Sequence, residues 1–469
     1  MPTPLPGLKP IPLLKGRVNL MRFFGDPIGI MMKIHQDHGL LGAVTAGDAS
    51  LVCAFGPEYN QLLLPNAKQY FNWAELPVDF PAGSAASRFG INLTAMNGEE
   101  HRRHRKMMQP TFQRSAVLDY RNAMVETIQS VLDEWPASGP VNLKDEMVRI
   151  SLLVMMRCMF GLRVKEEALA LGQMSIDFLS QAASPAVMAL PVNLPGTPYR
   201  RFLKFCETFE GKFVELIEAR RNSDVPPHDV LGQLIAAHDE DGLAFTNEEL
   251  VGQTGLLFVA GHETTAFTLM WTLILLMQHP QVYADLQDEL RGVLGGEAPQ
   301  ADQLKDLPLL DAVVKESMRL MPATPCMFMR RGVEPFQLGE YDLPADSKVI
   351  LSPLITHRLP ELYPNPQQFD PGRWASLKPS LYEYLPFGAG PRMCLGMGFA
   401  ELEIRLALAM IVQRNRMALP ANSKVDPVVR GITMGPKRGF QATLMTPDAP
   451  FPKPEVLAGG IRKLVDLPS

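Results

Sequence analysis

Between residues 99 and 321 apolar side chains recur at three- and four-residue intervals, the spacing that turns one face of an α-helix inward. Breaks fall at 136–140, 184–185, 191–198 and 222–229, each rich in proline, glycine or small polar residues. After Pro335 the pattern shortens to strand-like runs and a proline-rich meander through Pro353, Pro360, Pro364, Pro366 and Pro371. One more helical stretch covers about 396–414, and 428–445 reads as a strand hairpin. Near the start, a helix is predicted over Pro27–His38, followed by a strand or two, whereas 72–98 has no sustained period and reads as a long loop. The expected fold class is mainly α with small β-sheets. Residues 1–469 are expected to form one domain, with a helix-rich core at about 99–330 and 396–414 and small β elements near the N-terminus and after 335.

The longest pattern begins at Thr246, whose spacing to Glu249 is that of a capping box, in which each side chain satisfies a backbone N–H at the helix start. It runs to Gln278, about 32 residues and roughly 48 Å of helix, with Pro280 beyond it. Inside this apolar wall stand Gly261, Glu263, Thr264 and Thr265. Glycine costs a helix about 1 kcal/mol relative to alanine, and close approach of a flat ligand would compensate. Thr264 has two available arrangements: its hydroxyl can bond a carbonyl one turn back and bend the helix, or it can hold a water.

Composition narrows the field. The chain has 46% hydrophobic and 20% charged residues and a formal net charge of -5, an ordinary balance that excludes a general polyanion binder, so nucleic acid is not an expected partner. Its five cysteines, Cys53, Cys158, Cys206, Cys326 and Cys394, show no C-x-x-C spacing, which excludes a disulfide framework or zinc knuckle and fits a reducing, cytoplasmic setting. The N-terminal residues lack an uninterrupted apolar core, so no transmembrane anchor is expected.

The chemistry concentrates at 387–396, where Phe387, Gly388, Gly390, Arg392, Cys394 and Gly396 form a turn ahead of the last helix. Glycines let backbone N–H groups approach a thiolate and tune its donation to a metal. This run fits F-x-x-G-x-R-x-C-x-G at each fixed place, and the chain resembles the cytochrome P450 family. The resemblance implies that Cys394 is the axial thiolate ligand of heme b (iron-protoporphyrin IX), that Phe387 covers its sulfur, and that Arg392 meets a propionate. It also implies that Glu263 and Thr264 are the acid and alcohol guiding protons to bound oxygen.

Further motifs stand in the order the resemblance requires. His101 and Arg105 lie one turn apart, a geometry suited to propionates. Arg330 or Arg331 offers another propionate contact, with Arg330 taken as the candidate, and His357 is a further candidate for the same edge. Glu316 and Arg319 form the E-x-x-R pair, joined by Arg373, and these three are read as structural. Where the family more often has P-E-R, this chain has Pro371, Gly372 and Arg373.

The implied activity is a heme-thiolate monooxygenase that inserts one atom of O2 into an apolar substrate such as a fatty acid, terpenoid, steroid or polyketide. Apolar residues Leu257, Val259 and Ala260, the stretch Thr324–Phe328 and parts of 72–95 are expected to line its pocket, with 185–198 as a lid. No second G-x-G-x-x-G fingerprint is present, so a separate ferredoxin or flavodoxin with its reductase is the expected electron source. Arg102, Arg103, Arg105 and Lys106, with Lys378 and Arg392, are expected to form its docking face. The enzyme is expected to be a monomer. The alternatives are a peroxide-using or isomerising heme-thiolate enzyme and a non-enzymatic heme ligand-binding protein; a cysteine hydrolase lacks a sequence-defined base for Cys394.

Overall fold

A computed structural model describes residues 4–10, 17–73, 80–162, 164–182, 184, 186–187, 191–224 and 228–468. Its frame is set by the helices that carry or support the candidate residues: α1 (Gly98–Met108), α2 (Leu143–Phe160), α3 (Pro198–Arg221), α4 (Asn247–Gly261), α5 (Glu263–Gln278), α6 (Pro308–Leu320) and α7 (Met397–Arg414). The α5 helix is apolar all round and buried from Thr265 to Gln278, so it forms the axis of the core, packed against α2, α6 and α7. Trp271 at its centre is fully buried and donates from Nε1 to the Met434 carbonyl at 3.0 Å.

The sheets are small, as expected. Strands β1 (Leu41–Thr45), β2 (Asp48–Ala54), β3 (Tyr70–Trp73), β5 (Met329–Gly332) and β8 (Lys348–Leu351) form one sheet in the order β1-β2-β8-β5-β3. The intervening β4 (Gly139–Asn142), β6 (Phe336–Leu338) and β7 (Tyr341–Leu343), and the later β9 (Arg416–Ala418), β10 (Pro427–Arg430), β11 (Thr433–Pro436) and β12 (Gln441–Met445), make the remaining sheets. The hairpin expected over 428–445 is confined to β10 and β11, because β12 leaves it to pair with β4 and β9. β4 is also a strand within the helix-rich stretch.

Two expectations change in ways that shape the site. The helix over 246–278 is two helices. The capping box at Thr246 and Glu249 is present, but the chain breaks at His262, with φ -115° and ψ -46°. The Thr264 hydroxyl donates to the Ala260 carbonyl at 3.1 Å, a side-chain bond that competes with the helical ladder and bends the axis there. A Cβ on Gly261 would lie 2.8 Å from the Met155 sulfur, so the missing side chain admits the Met155 side chain of α2.

The second change concerns 72–98. β3 adds an edge strand to the main sheet, a short helix at Ala85–Arg88 is capped by Ser84, and Asn92 accepts from the Thr94 N–H at 2.9 Å to fix the next turn. Local polar side chains order this segment without a hydrophobic period. Residues 74–79, also within the expected loop, lie outside the described residues, as do 185 and 188–190 of the expected lid. The described lid residues include exposed Val192 and Leu194.

Candidate active site

The cysteine turn is built by its own backbone. The Cys394 N–H donates to the Phe387 carbonyl at 2.8 Å, closing the loop. Gly390 has φ +71°, and a Cβ there would stand 2.5 Å from the Leu64 carbonyl oxygen, so glycine is required on both counts. Phe387 packs against the edge of the main core. Cys394 is enclosed by the fold yet its atoms remain accessible, the combination of a side chain that faces an opening. Burial pushes its thiol pKa up, while the Gly396 N–H and the charge of Arg105 pull it down. Both of the latter favour thiolate. A cavity of about 800 Å³ opens beside it, lined by Arg105, Phe112, Val117, Met393, Leu402 and Arg405 among others.

Above this turn the structure gathers four basic side chains from three parts of the chain. His101 and Arg105 come from α1, Arg330 from β5 and Arg392 from the cysteine turn itself. They are close enough to act on one another electrostatically. Burial, then Arg392, Arg105 and Arg330, brings the His101 pKa down to about 4, so its ring is neutral at pH 7. Burial lowers Arg330 to about 10, and burial with the charges of Arg330 and Arg105 lowers Arg392 to about 10. Among the described residues no carboxylate is paired with any of the four. Three guanidiniums and a neutral imidazole beside an open cysteine therefore form a cradle for an anionic edge.

The choice between Arg330 and Arg331 follows from the two-residue alternation of a strand. Arg330 is buried and bonded to Asn72 and to the Phe328 carbonyl, whereas Arg331 points outward to Asp346 at 3.5 Å. His357 is a correction to the sequence expectation. Its Nδ1 donates to the Arg319 carbonyl at 3.3 Å and its Nε2 accepts from the Leu385 N–H at 2.9 Å, so neither ring nitrogen is left for a cofactor. It belongs with the buried lock instead. There Glu316 accepts from Arg319 at 2.8 and 2.9 Å, Arg373 at 2.9 Å, the Asp370 N–H at 3.0 Å and Trp374 at 3.0 Å. Arg373 needs no acid at 372, because Glu316 and the Pro364 carbonyl at 2.8 Å hold it.

Glu263 is half-buried and accepts from the Thr433 hydroxyl at 3.3 Å, and Thr264 adopts the back-bonded arrangement already described. Leu257 and Val259 are half-buried and Ala260 is exposed, while Phe258 between them is buried against the phenylalanines of α3. An apolar face of α4 thus borders open space. Arg102, Arg103 and Lys106 of α1, expected at the docking face, have acidic neighbours. Arg103 is tied to Asp239 at 2.6 Å and Glu249 at 2.9 Å, Lys106 pairs with Glu240, and Arg102 with Glu99 at 3.4 Å. Arg392 is turned inward, and Lys378 is exposed. The cations around the cavity beside Cys394 include Arg105, Arg114 and Lys305, while Arg405 there is paired with Asp311 and Glu401.

Sequence reasoning missed Asn72, Asn97, His104 and Gln253. Fully buried His104 bonds to Glu249 at 3.0 Å through Nε2 and to Gln253 at 2.9 Å through Nδ1, and Gln253 in turn accepts from the Leu93 N–H at 3.1 Å. The only available signal was Asn97 standing directly before α1, at a position asparagine favours for other reasons.

A mostly helical fold that presents one accessible cysteine beside a basic cradle, with a bent helix in its core, fits a heme-thiolate type of architecture. The Cytochrome P450 family model matches residues 5–442, and the chain belongs to that family, whose members bind heme. Relatives include cyclooctatin synthase of Streptomyces melanosporofaciens, 31% identical over 86% of this chain and 88% of the relative. Pentalenene oxygenase of Streptomyces avermitilis is 29% identical over 87% and 91%. Sterol 14alpha-demethylase of Mycolicibacterium vanbaalenii is 27% identical over 86% and 90%. Among solved structures, retinoic acid-bound cyanobacterial CYP120A1 aligns with a TM-score of 0.81 and 25% identity over 95% of this chain and all of that one. The protein is a cytochrome P450 monooxygenase, and no helix among the described residues is long and apolar enough to cross a membrane.

Proposed function

We propose that Cys394 binds the iron of heme b as thiolate, that His101, Arg105, Arg330 and Arg392 hold its propionates, and that residues 1–469 act as one catalytic domain in the cytoplasm, as a monomer. The observation that carries this reading is the cradle of three guanidiniums, without a carboxylate partner among the described residues, beside an accessible cysteine. When bound, the heme supplies activation of O2 for insertion of one oxygen atom into a C–H bond. The chain supplies the rest. Its Gly396 N–H and Arg105 favour the anionic sulfur. The apolar surface of Leu257, Val259 and Ala260 holds a hydrocarbon substrate and excludes bulk water. Glu263 receives protons at its carboxylate on the half-buried flank, and the Thr264 hydroxyl, by exchanging its Ala260 carbonyl for a water, passes them inward.

Similarity to proteins named pentalenene oxygenase, cyclooctatin synthase and sterol 14alpha-demethylase supports a terpenoid or steroid-like substrate. Electrons come from an acidic ferredoxin or flavodoxin docked over the cavity beside Cys394, steered by Arg114 and Lys305. The deciding measurement is the spectrum of the reduced holoprotein under carbon monoxide. A far red-shifted Soret band that disappears in Cys394→Ala is expected. A histidine-type band in the folded, heme-loaded wild type would end the proposal.

A further inference from the structure

Arg330 and Arg392 reach the cradle from different elements, yet two asparagines tie them together. Asn72 of β3 stands directly opposite Arg330 of β5 in the sheet register, and its Oδ1 accepts from the Arg330 guanidinium. Asn97 Oδ1 accepts from Arg392 Nη2 at 2.8 Å and also from the Asn72 backbone N–H at 2.8 Å. The amide nitrogens complete the brace: Asn97 Nδ2 donates to the Asn72 carbonyl at 3.1 Å and the Ala95 carbonyl at 3.2 Å, and Asn72 Nδ2 donates to the Thr94 carbonyl at 2.6 Å. Each amide is thereby oriented, oxygen toward a guanidinium and nitrogen toward a carbonyl. Arg392 makes its other bonds to the carbonyls of Leu93 at 2.9 Å and Met96 at 2.5 Å.

All of these acceptors are neutral, and that is the informative part. Buried guanidiniums are usually held by carboxylates, which fix geometry and cancel charge together. Here the geometry is fixed and the charge is left. We propose that Asn72 and Asn97 are positioning residues that hold Arg330 and Arg392 without neutralising them, reserving their charge for the carboxylates of the cofactor. The proposal rests on the heme reading above and deepens it. It assigns Asn72 and the turn at 93–97 a part in cofactor retention and in the reduction potential.

The experiment uses heme-loaded protein and compares wild type with Asn72→Asp and Asn97→Asp, near-isosteric changes that keep the oxygen acceptor and add a charge. Heme loss to excess apomyoglobin and the ferric/ferrous midpoint are measured. Each aspartate variant is expected to lose heme about tenfold faster or more, as expected when an added carboxylate competes for the arginines, with a midpoint shifted negative because added negative charge favours the ferric state. A purely packing role would leave the midpoint unmoved. Aspartate variants with wild-type heme loss and midpoint would overturn the proposal. Should an aspartate variant not accumulate as holoprotein, Asn72→Leu and Asn97→Leu decide, since they remove the acceptor without adding charge: heme loss several-fold faster than wild type supports the positioning role, and wild-type retention overturns it. The two readings fail separately, since a wild type without the thiolate-type carbon monoxide band removes the heme assignment itself, whatever the asparagine variants do.

Discussion

Glu316 and Arg319 are bonded side by side on α6, with 2.8 and 2.9 Å contacts and no solvent exposure of either side chain. An exposed pair at this spacing would contribute a few tenths of a kcal/mol. Burial changes the sign of the question, because each charge has lost its water and depends on its partner. Arg319 spends its remaining donors on the carbonyls of His357, Pro366 and Gln368 at 2.7–3.1 Å, so the pair fastens the meander to the core beneath the cysteine turn.

Replacing Glu316 by Gln should therefore destabilise the fold by about 3–5 kcal/mol, the usual cost of leaving a buried partner charge uncompensated. Trp374→Phe removes only one donor to the same carboxylate and should cost about 1.5–3 kcal/mol. Urea midpoints of the holoproteins check both, and equal stability of wild type and Glu316→Gln would contradict the lock.

The two neighbouring arginines of β5 should behave oppositely. Arg330→Met removes a buried member of the cradle and should accelerate heme loss. Arg331→Met breaks an exposed pair with Asp346, and such pairs contribute about 0–1 kcal/mol, so heme retention should be unchanged. Transfer to apomyoglobin reports both. Reversed behaviour would mean that the register of β5 against β3 is wrong by one residue.

Acid should loosen the same region through His357. Its pKa is held down to about 3 by burial, with the charges of Arg319 and Arg358 adding to the effect, against an ordinary 6.5. Between those values the unfolded chain binds a proton that the folded one does not, so stability rises with pH across the window and is lost as pH falls from about 6.5 toward 3. His357→Gln keeps a neutral acceptor and cannot titrate. Its urea midpoint should decline less steeply than that of wild type between pH 7 and 5. Parallel curves would exclude His357 as a contributor.

How much of this was legible beforehand depended on whether a function was concentrated in neighbouring residues. The cysteine turn, the Glu316–Arg319 spacing and the capping box at Thr246 are local, and the sequence alone placed them correctly. The break at His262 is also local, but a threonine in mid-helix permits two arrangements, and only the Ala260 carbonyl contact decides between them. His357 was misassigned because its partners, Arg319 and Leu385, come from distant positions that no periodicity connects. The Asn72–Asn97 brace was invisible for the same reason, since asparagines in a segment without hydrophobic period read as turn formers. The ion pairing of the basic run of α1 was not legible, because its acidic partners Asp239, Glu240 and Glu249 lie far along the chain.

Thr264 gives the sharpest test of the relay. Its hydroxyl is already bonded to Ala260, in a column where Thr268 donates to the Thr264 carbonyl at 2.9 Å and Thr272 to the Thr268 carbonyl at 2.8 Å. If that bond served only to bend the helix, removing it would straighten the break at His262 and disturb substrate binding along with turnover. If the hydroxyl also passes protons, Thr264→Val should keep the carbon monoxide band while uncoupling oxygen use beyond what any change in substrate affinity accounts for. A positioned proton donor contributes about 100-fold or more, so even partial replacement by water should lower product per O2 about tenfold, with hydrogen peroxide accounting for the difference. Thr264→Ser keeps the donor and should restore most of the coupling. Unchanged product per O2 in Thr264→Val would take the hydroxyl out of the relay and leave it the bend alone.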